Sequence, residues 1–303
     1  MRSVLAVFSL AALGSQAIWG FNVVAMKYTV GEVDSYLVGM TRCLIAGLVL
    51  LAWAYRTDHT LAVPASQRTR LIFVGAVGMG LSTICWQIGL SLGPATKASL
   101  ITTSSPVFAL ALAVAIRQER LVPSRLLGVL IALGGVVLVI GTGGSAAALT
   151  VAVSDLLLVG SALSWASYNV FGVPLLRTMT PLRVTGWASL IAGVTLALGA
   201  PWGVRSWDLS HVTTLGYLGV LYTTGLGSIV AQNLWSRTVK AIGASSTMVY
   251  SYLSPILGVS FASLLLGERL GLTQALGAAL VLAGVTVANI QRFRQERVAS
   301  PKP

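Results

Sequence analysis

Charge is what this chain of 303 residues has least of: eight Asp and Glu, twenty Lys and Arg, and 9% charged residues against 55% hydrophobic ones. Soluble domains carry about 25% charged residues, so this composition excludes an ordinary water-facing surface. Histidine occurs only at His59 and His211, each between apolar runs. Without a histidine in an apolar run, a Cys/His cluster or paired carboxylates, the chain lacks the groups for acid/base catalysis or metal ligation. Neither an enzyme nor a metal or cofactor site is expected. Cysteine is as scarce: Cys43 and Cys85 both lie in apolar stretches, where packing is the default role and a structural disulfide is not expected. The formal charge of +12 does not indicate nucleic acid, because Lys and Arg sit between apolar spans instead of along one helix face.

Apolar length, by contrast, is abundant. A bilayer core about 30 Å thick needs roughly 20 apolar residues per helix. Ten such stretches are readable, at approximately 4 to 26, 35 to 54, 71 to 91, 98 to 116, 126 to 142, 154 to 174, 184 to 202, 213 to 234, 245 to 266 and 272 to 290. The first follows Arg2 and resembles a signal peptide ending near Ala17, but its hydrophobicity continues to Met26, which favours an uncleaved helix. Ten spans place both termini on one side. That side collects 15 basic residues and the other four, Lys27, Lys97, Arg205 and Arg269, while Arg42 falls inside a span. The positive-inside rule therefore predicts cytoplasmic termini.

The chain also repeats itself. Ser105-Pro106, Glu119-Arg120-Leu121, Leu127-Gly128 and Gly135-Val136 return 149 positions later as Ser254-Pro255, Glu268-Arg269-Leu270, Leu276-Gly277 and Gly284-Val285. Gly14-Ser15, Trp19 and Leu44-Ile45-Ala46-Gly47 return 146 positions later as Gly160-Ser161, Trp165 and Leu190-Ile191-Ala192-Gly193. Two units follow, 1–145 and 146–291, with a basic cytoplasmic tail at 292–303. Five helices per unit is an odd number, so the second unit enters the membrane in the opposite sense. The expected fold is an all-α integral membrane protein, ten transmembrane helices in two inverted five-helix repeats around a central cavity. Such duplicated membrane proteins are most often transporters.

Candidate solute contacts follow from helical spacing. Trp165, Tyr168 and Asn169 share one face of the sixth span, Thr83, Trp86 and Gln87 one face of the third, and Gln16, Trp19 and Asn22 a broader face of the first. The eighth span offers Ser228 and Gln232, and the ninth Thr247, Tyr250, Ser251 and Ser254. These groups suit an amphipathic solute held by rings and neutral hydrogen bonds. The alternatives are helix association through Ser and Thr and an interfacial aromatic belt. Arg42, as a charge in an apolar span, reads either as an anchor for an anionic group or as a structural hydrogen-bond hub or snorkelling side chain. Pro106 and Pro255 each remove a backbone hydrogen bond, so their helices should bend or loosen there, as hinges or as fixed kinks. Apart from Asp155 at the start of the sixth span, no acidic residue lies in a span, which disfavours a proton-coupled exporter of cations and leaves the coupling ion open.

Trp19-Gly20 in a Ser/Ala-rich first helix, Arg42 and Ala46 of the second, the two Ser-Pro pairs and Leu266-Gly267-Glu268-Arg269-Leu270 together resemble the drug/metabolite transporter superfamily. More closely, the chain is similar to its ten-helix EamA branch, from about residue 5 to 290. The first half departs from the Gly-Glu-Arg block, reading Gln118-Glu119-Arg120. The resemblance implies a secondary transporter in a bacterial inner membrane, working by alternating access with helices 4 and 9 as gates. It is most similar to exporters of amino acids, including aromatic ones. An exporter of small polar metabolites or amphipathic drugs is the second reading, and a membrane enzyme or sensor the third. The expected partners are a small-molecule solute and the lipid bilayer, with the chain a monomer or weak dimer.

Overall fold

The computed structural model describes residues 2–102, 104–117, 123–140, 148–242, 247, 249–268 and 271–299. Ten helical segments and no strand occur among them: α1 Arg2–Glu32, α2 Ser35–Asp58, α3 Ala65–Leu92, α4 Ala95–Ala115, α5 Pro123–Ile140, α6 Ala148–Thr178, α7 Pro181–Gly203, α8 Thr214–Ala241, α9 Leu253–Leu266 and α10 Leu272–Ala299. Six of them, α2, α3, α4, α6 from Val153, α7 and α8, are long and apolar enough to cross a membrane. Shorter apolar stretches occupy α5, α9 and α10. The chain is a multi-pass, all-helical membrane protein. The unit boundary at 145/146, Glu119-Arg120-Leu121 and Arg269-Leu270 lie outside the described residues. The helix α10 runs on through the basic segment from 292 to Ala299, because nothing between Gly284 and Pro301 interrupts it.

The repeated motifs are where helices touch. A methyl group on Gly47 would lie 2.5 Å from the backbone nitrogen of Leu190, and one on Gly193 would lie 2.6 Å from that of Leu44. The crossing of α2 and α7 is therefore reciprocal, each Leu-Ile-Ala-Gly copy seated on the other. The pairing of α5 with α10 behaves alike: a methyl on Gly135 would meet the Gly277 carbonyl at 2.6 Å, and one on Gly284 the Gly128 carbonyl at 2.5 Å. In an apolar medium there is little hydrophobic gain from helix association, so close backbone approach through small residues supplies the van der Waals contact.

Helix ends are tied by side chains. Asp34 Oδ1 accepts from the Tyr36 and Leu37 amides at 2.9 and 3.0 Å and starts α2. The Glu268 carboxylate accepts from the Ala95 and Thr96 amides, at 2.9 and 2.7 Å, so the acid of the Gly-Glu-Arg block caps α4 from the α9–α10 connection. Glu32, at the end of α1, caps α8 through the Thr213 amide at 2.7 Å. The helix α1 thus runs beyond Met26, and Lys27 is helical; its Nζ donates to the Leu90 and Gly93 carbonyls at 2.8 and 2.6 Å at the end of α3.

Lys97 requires a correction. Counted as a connection residue, it lies in the first turns of α4, 3% exposed, with Nζ 2.7 Å from Asp155 Oδ2 on α6, itself 2% exposed. Arg42 is accordingly not the only strong charge buried among the helices. Two charges of opposite sign could be placed there because each cancels much of the other's desolvation cost, a pairing between distant segments that neither segment reveals alone.

Two outcomes follow for the purified protein in detergent. Gly47→Ala and Gly193→Ala should each lower stability by about 1 to 3 kcal/mol, as overpacking against backbone does, whereas Gly172→Ala, with nothing within 4 Å, should leave the melting temperature unchanged or slightly raised. Asp155→Ala should cost about 3 to 5 kcal/mol by leaving Lys97 buried without its carboxylate, and Lys97→Met with Asp155→Leu should recover most of that loss in the same melting assay.

Candidate functional site

The helices enclose a cavity of about 240 Å³. Its walls come from α1, α2, α3, α4, α6, α7 and α8 together with Ser251 and Ser254. Trp19, Asn22, Arg42, Trp86, Trp165, Gln232 and Pro106 line it. These residues come from six different helices, so the cavity is a property of the bundle.

One wall is aromatic. Trp19 meets Trp165 edge to face, centroids 5.9 Å apart at 88°, and Trp235 at 5.6 Å and 56°. Tyr168 stacks flat on Trp165 at 5.0 Å and 8° and is itself buried outside the lining. Trp235 is a residue that helical spacing alone misses, yet it lines the cavity. The signal was available, since Trp235 stands 149 positions after Trp86, the same offset as the Ser-Pro pairs. Asn169 does not line the cavity either; it positions the wall, with Oδ1 accepting from Trp235 Nε1 at 3.2 Å and Nδ2 donating to the Trp165 carbonyl one turn back at 2.8 Å. Gln87 and Tyr250 also stand outside the lining. Gln87 is fully buried between α3 and α2, where Nε2 donates to the Ser35 carbonyl at 3.1 Å. Tyr250 is partly buried in a 3₁₀ turn, Val249–Tyr252, ahead of α9.

Two helices widen beside the cavity. Val74–Leu81 of α3 and Thr223–Ala231 of α8 are π-helical, and their starts are 149 positions apart. Both are glycine-rich, which lets neighbours approach: a methyl on Gly78 would lie 2.9 Å from Tyr168 Cα, and one on Gly227 2.9 Å from Asn22 Oδ1. The Gly227 carbonyl accepts from Trp19 Nε1 at 3.0 Å, so the widened turn of α8 fixes the orientation of a cavity ring.

The Ser-Pro pair in α4 has a direct physical account. Helix Ala95–Thr102 stops and Ser105–Ala115 begins anew, with Pro106 in its first turn. Pro106 has no N–H for the Thr102 carbonyl four residues back. Ser105 Oγ donates to that carbonyl at 2.7 Å instead, so the break costs no unpaired acceptor. Pro255 falls in the first turn of α9, directly after the 3₁₀ turn; its side chain lies outside what is described.

Electrostatically the lining is one-sided. Arg42 is its single charged member among the described residues. Arg42 Nη2 donates to Thr83 Oγ1 at 3.2 Å, and its buried Nε has no partner. Gln16 Nε2, Gln232 Nε2 and Asn22 Oδ1 are likewise buried and unpartnered. Each such group costs roughly 1 to 3 kcal/mol. Asp155 and Lys97 are not part of the lining. No group of three or more His, Cys, Asp or Glu that could hold a metal occurs among the described residues.

Comparison with known proteins agrees with this architecture. Residues 7–141 and again 152–290 match the EamA-like transporter family. The chain is 29% identical over 298 residues to a probable amino-acid metabolite efflux pump of Salmonella typhimurium, covering 93% of this chain and 94% of the relative. It is 26% identical over 285 residues to the uncharacterized transporter YyaM of Bacillus subtilis, at 91% and 92% coverage. It is also 25% identical over 301 residues to the uncharacterized inner membrane transporter YedA of Escherichia coli, at 96% and 93% coverage. A crystal structure sharing 20% identity superposes with a TM-score of 0.67 over 94% of this chain and 98% of the other, which speaks for the fold. Matched nearly end to end, and twice over, the chain belongs to the EamA-like transporter family of the drug/metabolite transporter superfamily.

Proposed function

We propose that this membrane transporter exports hydrophobic or aromatic amino acids, or related metabolites, from the cytoplasm by alternating access. In this reading the units 1–145 and 146–291 are inverted five-helix halves, and both termini are cytoplasmic. The observation that carries the substrate is the wall of Trp19, Trp165 and Trp235 on a cavity reached by polar groups from several helices. The reciprocal glycine crossings of α2 with α7 and α5 with α10 support two equivalent halves able to rock against each other. The efflux-pump name of the Salmonella relative supports the direction and class of cargo.

Ring contacts contribute about 0.5 to 1.5 kcal/mol per pair, which suits binding weak enough to be released. Trp86 adds a further apolar face, and the ends of the solute would meet Asn22, Gln232 and the hydroxyls of Ser228 and Ser254. The interruption of α4 at Pro106 and the 3₁₀ turn before Pro255 are the joints at which α4 and α9 would bend between outward and inward states. A second reading, export of small polar metabolites or amphipathic drugs, draws support from the many Ser and Thr residues in the lining, among them Thr102, Ser228 and Ser254.

Proteoliposomes holding the purified protein should take up labelled phenylalanine or tryptophan. Trp19→Ala, Trp165→Ala and Trp235→Ala should each raise the half-saturating concentration about tenfold, the value of roughly 1.4 kcal/mol of lost ring contact. Wild-type uptake by all three variants, or competition by small polar metabolites but not by aromatic amino acids, removes this reading. Pro106→Ala restores an N–H for the Thr102 carbonyl and should stiffen α4, lowering the maximal rate several-fold with solute affinity unchanged when binding is measured separately.

A further inference from the structure

Resting on the cavity as the solute pathway, we propose that Arg42 is the recognition element for a carboxylate on the cargo, and that the amino group of an amino acid is dispensable. The accepted class would then include apolar and aromatic carboxylic acids lacking an amine, and would exclude the corresponding amines.

The charge balance of the lining motivates this. A guanidinium offers five N–H donors, and the partners of Arg42 are the neutral hydroxyl of Thr83, at 3.2 Å, and the thiol of Cys43. No backbone carbonyl accepts from it among the described residues. Among the described residues no Asp or Glu stands in the lining to neutralise it. Lys97, which is buried, has its own carboxylate in Asp155 at 2.7 Å and lies outside the cavity. A cation among apolar helices without a counter-charge is costly and is characteristically a ligand site.

The neutral groups point the same way. Gln16, Asn22 and Gln232 line the cavity without bringing a negative charge to it. An ionised carboxylate is an acceptor only, with about four lone-pair sites, and so matches the donors of a guanidinium. An ammonium would meet the repulsion of Arg42 with no carboxylate to offset it. Thr83 orients the guanidinium from α3, so the anchor is held where α2 and α3 face the cavity.

The test compares matched acids and amines binding to the full-length protein in nanodiscs by calorimetry: 3-phenylpropionate against phenethylamine, and butyrate against butylamine. Wild type should prefer each acid by about tenfold or more, the value of a hydrogen bond to a charged group. Arg42→Gln should lose that preference and Arg42→Lys should keep it. The wild-type comparison needs no variant, so misfolding of Arg42→Gln does not protect the proposal. Equal binding of acid and amine by wild type, or an acid preference surviving in Arg42→Gln, overturns it. If acids win in both pairs but the phenyl compounds bind no tighter than the butyl ones, the aromatic-wall reading fails and the Arg42 assignment stands. If phenyl compounds bind tighter whatever their charge, the reverse holds, and absence of binding by all four overturns both.

Discussion

A membrane interior offers no water to hydrogen-bond a buried polar atom, so each such atom in this bundle must find its partner within the protein. That constraint accounts for the arrangement of the polar side chains better than any pattern along a single helix. Ser105 supplies the proton that Pro106 cannot give to the Thr102 carbonyl. Glu268 crosses from the far end of the chain to satisfy the first amides of α4, and Lys27 satisfies the last carbonyls of α3. Ser82 and Ser161 join α3 to α6 by exchanging hydroxyl and carbonyl bonds at 3.1 and 2.9 Å. The unpartnered atoms of Gln16, Asn22, Arg42 and Gln232 belong to residues that line the cavity, while those of Gln87, Asp155, Arg183, Thr223 and Asn233 lie elsewhere.

The second organising element is close backbone approach. At the α2–α7 and α5–α10 crossings even a methyl group would press within 2.7 Å of backbone atoms. Because each crossing uses the same motif from both halves, the contact is self-complementary, as at a two-fold interface. Glycine serves a different end in the π-helical stretches of α3 and α8. There it admits Tyr168 and Asn22 to the widened turns, and the Gly227 carbonyl in turn holds Trp19. The aromatic wall is thereby connected to the two most irregular parts of the bundle.

Much of the architecture is legible in the amino-acid sequence because the bilayer imposes length and apolarity on each helix separately. The repeats likewise identified Leu44-Ile45-Ala46-Gly47 and its copy before their mutual contact was visible. The site was legible in part. Trp19, Trp86 and Trp165 reach the cavity, but Tyr168 and Asn169, on the same helical face as Trp165, stand behind it as a stacking partner and a positioning amide. A helical face about 100° wide meets both the cavity and its neighbouring helices, and spacing cannot separate the two. Trp235 escaped notice because its partners, Trp19 and Asn169, are 216 and 66 residues away in the chain.

By itself, the sequence determined that the chain is helical, membrane-embedded and duplicated, since apolar length, scarcity of acids and a constant offset are one-dimensional properties. Tertiary structure alone decided which charges are paired and which face a cavity. Lys97 looked like a connection residue and Arg42 like an isolated charge, and only the approach of α6 to α4 gave Lys97 its carboxylate while leaving Arg42 without one. The physical reason is that electrostatic compensation depends on distances of a few ångströms between residues far apart in the chain, which fall off too steeply to be inferred from order along it.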